Sequence, residues 1–345
     1  MMESPTSNLP RVAVIIPAFN AAKYLRRAVE SVWRTGYPSI EVAIVDDGST
    51  DETSKIAEEI CAEAPKQCTL YRHPNGGNHG VSASRNLGIA RTTGEWVAFL
   101  DADDTYTNTR FDCLHVDKPN NQTNHLSNHH LSNVDGFYGV AAIVLDEDSY
   151  PPDENFWRQN NLFGISTPLC GIQLLKHLLT GVTWPISAIT VRRSLLETTG
   201  GFDISKNIAE DCDLWFRVVT VGKIMPDNLS SPISYYHRHS SNTYHYKIEH
   251  RLAMVNAMLD SWHWAKSIGA HPDYVRVFSD CVPDYAYNSI VAAREADRPD
   301  VAWSILGLMA MSRKLGFFLK IRTLKQWRAL ILSTQVGDFF ASGNR

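Results

Sequence analysis

The stretch WVAFLDADDTY (residues 96–106) joins an apolar run to a cluster of acidic residues. Five apolar residues, 96–100, lead without interruption into carboxylates at positions 101, 103 and 104. An apolar run of this length is typical of a strand buried on both faces of a sheet. Carboxylates this close repel one another and resist burial. The sequence therefore predicts a buried strand whose end needs a partner of opposite charge.

The residues before this strand alternate between strand and helix patterns. Strand patterns cover 11–20, 40–46 and 68–73, and the first strand is expected to stop at Pro17. Helical patterns cover 21–36, 54–64 and 80–94. In the first helix, apolar residues recur at i, i+3, i+4, i+7 and i+8 from Leu25. Such alternation predicts an α/β fold with a Rossmann-like, doubly wound, mostly parallel mixed sheet and helices on both faces.

The later residues are less regular. We expect a strand at 139–148, a helix at 169–181, a strand and a helix within 184–203, a helix at 208–222, and several helices from about position 250. The polar segment 117–136 contains HLSN twice. It is interpreted either as a metal-binding, His-rich tract or as a mobile surface insertion.

Composition excludes several classes of protein. The chain has 345 residues, 44% hydrophobic and 20% charged, with a net charge of −4. This charge gives no basis for nucleic-acid binding. The six cysteines form no C-x-x-C pair, which argues against a zinc site or a disulfide framework. Without a secretory leader pattern or an apolar run of about 18 residues, we expect a soluble, cytoplasmic protein.

Polar clusters follow three of the predicted strands: PAFN (17–20), DDGSTD (46–51) and DADD (101–104). Ligands of doubly wound sheets bind at the carboxyl ends of the strands. We therefore expect the three clusters to line one pocket.

In DADD, Asp101 and Asp103 share one face of an extended segment and suit a hard divalent cation. The alternative is a solvated turn. An EF-hand is excluded, because Tyr106 occupies the glycine position and Asp112 the position of the closing glutamate.

The loops after the second and third strands have two interpretations. DDGSTD can accept hydrogen bonds from a base or ribose, or form a strand-to-helix turn with Ser49, Thr50 or Asp51 as N-cap. NGGNHGVSASRNLG (75–88) offers backbone N–H groups that suit phosphate, although it is neither a P-loop nor G-x-G-x-x-G.

Two further clusters lie late in the chain. AEDCDLW (209–215) places acids in the first turn of a helix, either for chemistry or to complement the helix dipole. The dipole lowers a carboxylate's pKa, which weakens it as a base unless burial or neighbouring acids oppose it. In YYHRHSSNT (235–243), His237 and His239 share a strand face, as ligands or as packing residues.

Six stretches, at 14–32, 45–53, 78–104, 200–203, 210–218 and 237–243, together resemble the inverting family 2 glycosyltransferases of the GT-A fold. The resemblance covers roughly residues 11–245. It implies a flexible N-terminus at 1–10, a catalytic domain at 11–245 and a C-terminal helical region at 246–345. The polar insertion at 117–136 departs from the family pattern.

The resemblance also implies site residues. Asp211 is the expected general base, with Asp104, Glu210 and Asp213 in support. Asp101, Asp103 and His239 are expected to hold Mg²⁺ or Mn²⁺. Nucleotide-sugar binding is expected at Pro17, Phe19, Asn20, Asp46, Asp47, Gly48, Ser49, Asn78, Arg85, Asp101, Ala102 and Asp103.

The implied reaction moves a sugar from a nucleotide-diphosphate donor, with UDP-sugars as the first choice, to a hydroxyl of a carbohydrate or glycolipid acceptor. The expected setting is cell-surface polysaccharide, glycan or glycolipid biosynthesis. The acceptor is expected to enter over 163–169 and 183–189. A nucleotidyltransferase and a non-catalytic nucleotide-sugar-binding protein are the alternatives.

The C-terminal stretch has its own pattern. Between positions 300 and 338 there is no acidic residue, while six basic residues accumulate beside apolar ones. A basic, apolar helix can lie on an anionic membrane surface, which would make the protein peripheral to the membrane. The alternative is a helical cap on the catalytic domain.

Overall fold

The computed structural model describes residues 9–115, 131–144, 162–238 and 247–312. Most of the N-terminus at 1–10, most of the insertion at 117–136, part of the strand predicted at 139–148, and the basic stretch after position 312 lie outside these ranges. The interpretations of the His-rich tract and of the basic stretch therefore stay predictions.

Strands and helices alternate through the first hundred residues, as the sequence predicts. The strands are β1 (Val12–Ala18), β2 (Ile40–Asp46), β3 (Cys68–Arg72), β4 (Trp96–Phe99), β5 (Thr105–Tyr106), β6 (Gly136–Tyr138), β7 (Ala141–Val144), β8 (Leu162–Phe163), β9 (Ile189–Arg192), β10 (Ile224–Pro226) and β11 (Ser234–His237). The helices are α1 (Leu25–Arg34), α2 (Thr53–Glu63), α3 (Val81–Arg91), α4 (Gly171–Leu178), α5 (Arg193–Thr199), α6 (Glu210–Val221), α7 (Lys247–Ser267), α8 (Pro272–Glu295) and α9 (Pro299–Met311).

The main sheet has seven strands in the order β10-β6-β9-β4-β1-β2-β3. β1 pairs in parallel with β2 on one side and with β4 on the other. β9 runs antiparallel to both of its neighbours, β4 and β6. The expected doubly wound, mostly parallel mixed sheet is confirmed. Its strand order reverses direction at β1, which is where such sheets open a crevice for ligands.

Helices cover β1 on both faces. Val14 and Ile16 belong to the same buried cluster as Leu25 and Val29 of α1. On the other face, α3 approaches so closely that a Cβ at Gly88 would lie 2.4 Å from Ile15 Cγ2. Burial on both faces explains why β1 is apolar throughout rather than alternating.

β1 extends one residue further than expected. The sequence predicts that the strand stops at Pro17, but Pro17 pairs with Val45 and the ladder continues to Ala18. The pairing with β4 ends earlier, at Ile15. Proline lacks an N–H, and it is tolerated here because the neighbour on that side has already ended.

A smaller sheet has the order β5-β11-β7-β8. β5 directly follows DADD and pairs antiparallel with β11, with Thr105 opposite Tyr235. This short pairing carries the acidic turn to the strand that ends at His237.

Backbone contacts divide the chain into two units, Met1–Leu174 with Val182–Asn242 and Leu175–Gly181 with Thr243–Arg345. Both sheets belong to the first unit. In the second, α7, α8 and α9 pack together, and a Cβ at Gly181 would lie 2.7 Å from Tyr285. No helix in the described part of the chain is long and apolar enough to cross a bilayer.

Candidate functional site

The carboxyl ends of β1, β2 and β4 lie side by side. Ala18 is opposite Asp46, and the amide of Asp47 donates to Ala18 O at 2.8 Å. The amide of Leu100 donates to Ile15 O at 3.0 Å, so β4 enters its acidic turn at the same edge. The three polar clusters therefore lie at one edge of the sheet, as their positions after the strands predict.

The loop after β1 is bonded to the loop after β2. The amide of Asn20 donates to Ser49 Oγ at 3.1 Å, and Asn20 Oδ1 accepts the amide of Thr50 at 2.8 Å. Phe19 is 50% exposed, whereas Pro17 is buried in the strand below it. The ring of Phe19 is thus open to a planar ligand, while Pro17 acts as support.

The buried pair Asp46 and Asp47 bonds to the backbone of the protein itself. Asp47 accepts the amides of His79 at 2.8 Å and Gly80 at 2.9 Å, which fixes the start of α3. Asp46 Oδ1 accepts the amide of Ser49 at 3.0 Å. These carboxylates therefore organise the two loops expected to bind a nucleotide.

Gly48 lets those loops pack together. Its φ of +76° favours glycine, and a Cβ there would lie 2.7 Å from the backbone nitrogen of Asn78. The side chain of Asn78 accepts the amide of Gly80 at 3.2 Å and is exposed. The segment 76–78 therefore lies directly on the acidic turn.

Arg85 connects two motifs that are far apart in the sequence. Its Nη2 donates to Asp101 Oδ1 at 2.8 Å and its Nη1 donates to Glu210 Oε1 at 2.9 Å. Arg85 is 3% exposed, and its guanidinium lies 5.2 Å from the ring centroid of Phe202. One buried cation thus brings DADD beside the acidic start of α6.

DADD forms a tight turn. The amide of Asp104 donates to Asp101 O at 3.0 Å, and Ala102 is 7% exposed. Arg27 of α1 donates to Asp103 O at 2.9 Å. Asp101 and Asp103 remain partly exposed. No sequence signal singled out Arg27, because its contact depends on how α1 packs.

Asp104 is 1% exposed and has a different environment. Its Oδ1 accepts the amide of His237 at 3.0 Å, and its Oδ2 has no hydrogen-bond partner among the described residues. Burial, and next the charges of Asp103 and Asp101, raise the pKa of this carboxyl well above its usual range. Burial, and next the charges of the acids in this turn, also raise the pKa of Tyr236. The sequence did not identify Tyr236 as a neighbour of the acidic turn.

The acidic start of α6 follows Ala209, whose φ is 58°. Burial raises the pKa of Asp211, while the charge of Arg85 and the amide of Cys212, which donates to Asp211 Oδ1 at 2.7 Å, oppose the rise. Burial and the charge of Asp211 likewise raise the pKa of Glu210. At Asp211 burial therefore outweighs the contacts that lower the pKa, which is the condition under which an acid in the first turn of a helix can act as a base.

Two other predicted site residues have structural contacts. Asp213 Oδ2 accepts Arg217 Nη2 at 2.7 Å in a buried ion pair. His237 is 3% exposed, and its Nε2 lies 3.1 Å from Thr105 Oγ1. His239, the third expected metal ligand, lies outside the described residues.

The donor set at the acidic turn fits a hard cation. Within the described ranges, no three His, Cys, Asp or Glu side chains converge as a complete metal site. Mg²⁺ usually takes one or two carboxylates and fills its shell with substrate phosphates and water. The partly exposed Asp101 and Asp103 match that requirement, beside Asp104 Oδ2, which has no hydrogen-bond partner in the described part of the chain.

The two segments expected to meet an acceptor are anchored in the first unit. Thr183 lies close enough to the Cys212 thiol to oppose the rise that burial causes in its pKa, so the segment 183–189 lies beside the start of α6. In the segment 163–169, Leu169 O accepts a hydrogen bond from Tyr138 Oη at 2.9 Å, which holds this segment in place. The rings of Tyr138 and Trp184 stack at 5.0 Å.

Comparisons with known proteins agree with this geometry. Residues 13–112 match the family model described as Glycosyl transferase family 2. An uncharacterised glycosyltransferase of Rickettsia prowazekii is 31% identical over 224 residues, which are 64% of this chain and 62% of that protein. One from Nostoc is 30% identical over 239 residues, covering 68% of this chain and 66% of the relative. The chain thus spans less than two thirds of the length of the Rickettsia relative.

Among solved structures, TarS of S. aureus in complex with UDP-GlcNAc has a TM-score of 0.54 at 15% identity, covering 94% of this chain and 91% of that one. At this identity the likeness supports the GT-A fold alone. The family model covers β1 to the acidic turn, and the curated relatives extend the match across most of the first unit. The chain therefore contains a glycosyl transferase family 2 domain at residues 13–112.

Proposed function

We propose that this chain is an inverting glycosyltransferase that moves a sugar from a nucleotide-diphosphate donor to an acceptor hydroxyl. The observation that carries the proposal is the bridge from Asp101 through Arg85 to Glu210. Direct transfer requires the donor site and the general base to lie within one substrate length. The bridge meets that requirement, because it joins the acidic turn to the carboxylates of α6.

Asp211 is the proposed general base. Burial raises its pKa, which makes it a stronger base than an exposed aspartate, and Arg85 opposes the rise, which favours the ionised form needed to accept a proton. Asp211 takes the proton of the acceptor hydroxyl as that oxygen attacks the anomeric carbon. Attack on the face opposite the diphosphate inverts the configuration, through a transition state with oxocarbenium character.

Asp101 and Asp103, with His239 beyond the described residues, are the groups that would hold Mg²⁺ or Mn²⁺. When bound, such a cation neutralises charge on the diphosphate as its bond to the sugar breaks. The other contributions come from the chain itself. Arg85 fixes the orientation of Asp101, and Asp104 holds the acidic turn against β11 through the amide of His237.

Pro17, Phe19 and Asn20, with Asp46, Gly48, Ser49 and Asn78, are the residues proposed to shape the nucleotide pocket. UDP-sugars are the first donors to test, since TarS was solved with UDP and with UDP-GlcNAc. The proposed acceptor is a hydroxyl of a carbohydrate or glycolipid, in the synthesis of cell-surface polysaccharide or glycolipid. The proposed location is the cytoplasm, with peripheral membrane contact through the basic C-terminal stretch.

The test is a panel of UDP-, GDP- and TDP-sugars offered to the full chain with Mn²⁺, with donor hydrolysis and thermal shift as readouts. Asp211→Asn is expected to retain donor binding and to lose turnover by about 10²–10⁴-fold. Asp103→Ala is expected to abolish metal-dependent donor binding. The control is Glu197→Gln, an exposed acid on α5, which should change neither.

Each alternative predicts a different result. Full turnover by Asp211→Asn would contradict the assignment of Asp211 as the base. If the parent and Asp103→Ala bind the donor equally well with and without Mn²⁺, the metal site is contradicted. Donor binding without sugar release by the parent indicates a binding protein. Pyrophosphate release from a nucleoside triphosphate and a sugar phosphate indicates a nucleotidyltransferase.

A further inference from the structure

Cys61 and Cys68 face each other at an edge of the main sheet, away from the carboxyl ends of β1, β2 and β4. Their sulfur atoms are 3.1 Å apart. Cys61 lies in the last turn of α2 and is partly buried, and Cys68 is the first residue of the edge strand β3 and is buried. The two thiols are therefore in contact, and one of them is accessible to solvent.

The backbone between the two cysteines holds them in this arrangement. The carbonyl of Ala64 accepts the amides of Gln67 at 3.0 Å and Cys68 at 2.9 Å. The carbonyl of Gln67 accepts the amide of Val42 from β2 at 2.6 Å, which ties the turn to the sheet. A disulfide needs the sulfurs about 1 Å closer than they are.

The two thiols differ in exposure and in the direction of their pKa shifts. The hydrogen bond from Cys68 lowers the pKa of Cys61, which favours its thiolate. The same bond and then burial raise the pKa of Cys68. Burial raises the pKa of Cys113 and of Cys212 as well. Because the thiolate is the attacking species, Cys61 is suited to react first and Cys68 to follow.

We propose that Cys61 and Cys68 are a redox-responsive dithiol that low-molecular-weight disulfides convert to an intramolecular disulfide. The Cys61 thiolate attacks one sulfur of a small disulfide such as oxidised glutathione, whose S–S bond breaks and releases one thiolate. Cys68 then loses its proton to solvent and attacks the Cys61 sulfur, and the second small thiol leaves. Two electrons pass from the protein to the small disulfide, which is reduced to two thiols.

The crosslink joins the end of α2 to the start of β3. At the other end of β3, Arg72 Nη2 already donates to Ser54 Oγ at 2.6 Å and to Glu58 Oε1 at 2.5 Å, both on α2. Oxidation would therefore fasten a helix and strand that are already aligned. We expect the oxidised chain to melt about 2–4 °C higher than the reduced chain.

The experiment equilibrates the folded, full chain with mixtures of reduced and oxidised glutathione, alkylates the remaining thiols and digests with trypsin. Lys66 lies between the two cysteines, so cleavage there places them in separate peptides, 56–66 and 67–72. The expected product is these two peptides joined by a bond that dithiothreitol breaks.

Variants separate the steps. Cys68→Ser should stop at the glutathione adduct on Cys61, and Cys61→Ser should give no joined peptides. Cys170→Ser, which removes an exposed thiol, should leave the joined pair intact. The proposal is overturned if Cys61 and Cys68 both remain reduced, and are therefore alkylated, under conditions in which Cys170 carries glutathione. A joined pair that forms only in urea, or joins either cysteine to a third one, also overturns it.

Discussion

At the scale of single residues, Arg85 sets the charge balance of the site. It is almost fully buried, yet its guanidinium bonds Asp101 and Glu210, and its charge opposes the rise that burial causes in the pKa of Asp211. Removing one partner of a buried ion pair destabilises the fold by more than the intact pair stabilises it, because the remaining charge has neither water nor a counterion. Three carboxylates therefore depend on one fixed positive charge.

Arg85→Met should destabilise the fold and move the acid limb of the kcat profile. We expect a loss of about 3–5 kcal/mol in the free energy of unfolding, measured with urea. Asp211 loses a neighbour that lowers its pKa, so a higher pH is needed to ionise it and the acid limb moves to higher pH. Arg85→Lys keeps the charge but not the two-pronged geometry, so it should give smaller changes in the same directions.

The matched control is Arg91→Met, since Arg91 is exposed in the last turn of the same helix. Its unfolding free energy should change by less than about 0.5 kcal/mol. A folded Arg85→Met protein whose acid limb coincides with that of the parent would contradict the role assigned to Arg85.

The pairing of Arg85 with Glu210 could not be predicted from the sequence. The strand–helix pattern indicates that the strand ends share an edge, so the meeting of DDGSTD and DADD follows from topology. Arg85 and Glu210 are separated by 125 positions, and their side chains meet because the segment before α6 is bonded to α3, where Asn86 Nδ2 donates to Phe202 O at 2.8 Å. The same holds for Asp47, whose bonds to the amides at 79 and 80 depend on how the 75–80 loop folds back.

At the scale of elements, long periodic segments were predicted well and short ones were not. β1 to α3 follow the expected order because buried strands and amphipathic helices leave strong periods in the sequence. The smaller sheet was not predicted, because β5 and β8 have two residues each and show no period. Its pairing comes from neighbouring structure, not from local propensity.

The substitution Gly48→Ala tests whether the loops after β2 and β3 depend on their close packing at this position. Gly48→Ala meets both an unfavourable φ of +76° and backbone atoms at 2.7 Å, so the 76–78 segment must move. We expect a loss of about 2–3 kcal/mol in the free energy of unfolding, together with weaker UDP binding by calorimetry.

Gly36→Ala separates the two causes. Gly36 has a φ of +65°, but nothing lies within 4 Å of a Cβ placed there. It should lose only about 1 kcal/mol and bind UDP as the parent does. Equal losses at both positions would show that the close approach of Asn78 contributes nothing.

Asp227, directly after β10, gives the structure a pH dependence. Its amide donates to Tyr138 O at 2.7 Å, and its Oδ2 has no hydrogen-bond partner in the described ranges. Burial raises the pKa of this carboxyl from 3.8 to about 6. Because the folded state holds the proton more tightly, the stability from this group is present below about pH 4 and is lost as the pH rises through about 6.

The loss from Asp227 corresponds to about 3 kcal/mol. Asp227→Asn cannot ionise, so it should remove the part of this loss that falls between about pH 5 and about pH 8, which is about 1.4 kcal/mol. The free energy of unfolding is measured with urea for both proteins at the two pH values. The change between the two pH values is then compared between Asp227→Asn and the parent. Parallel pH dependence of the two proteins would contradict the raised pKa.

At the scale of the whole molecule, the site belongs to one of the two units. The proposed donor, metal and base residues all lie between positions 17 and 239, within Met1–Leu174 and Val182–Asn242. The loops that carry them are held by a few long-range contacts, such as Asn20 to Thr50 and Asp104 to His237, and not by regular structure. Ligand binding should therefore stabilise those loops more than the helices of the second unit.

Hydrogen exchange of the full chain tests this distribution. Adding UDP with Mn²⁺ should slow amide exchange at 18–22, 46–53, 76–86 and 100–106, because a diphosphate and a base would order the loops at the carboxyl ends of β1 to β4. Exchange in α8 and α9 should stay within error. Asp103→Ala is the matched control, since it removes a proposed metal ligand and should lose the protection while remaining folded. Protection confined to 272–311 would place nucleotide binding elsewhere than the acidic turn. The same conclusion would follow if the loops were protected equally in Asp103→Ala and in the parent.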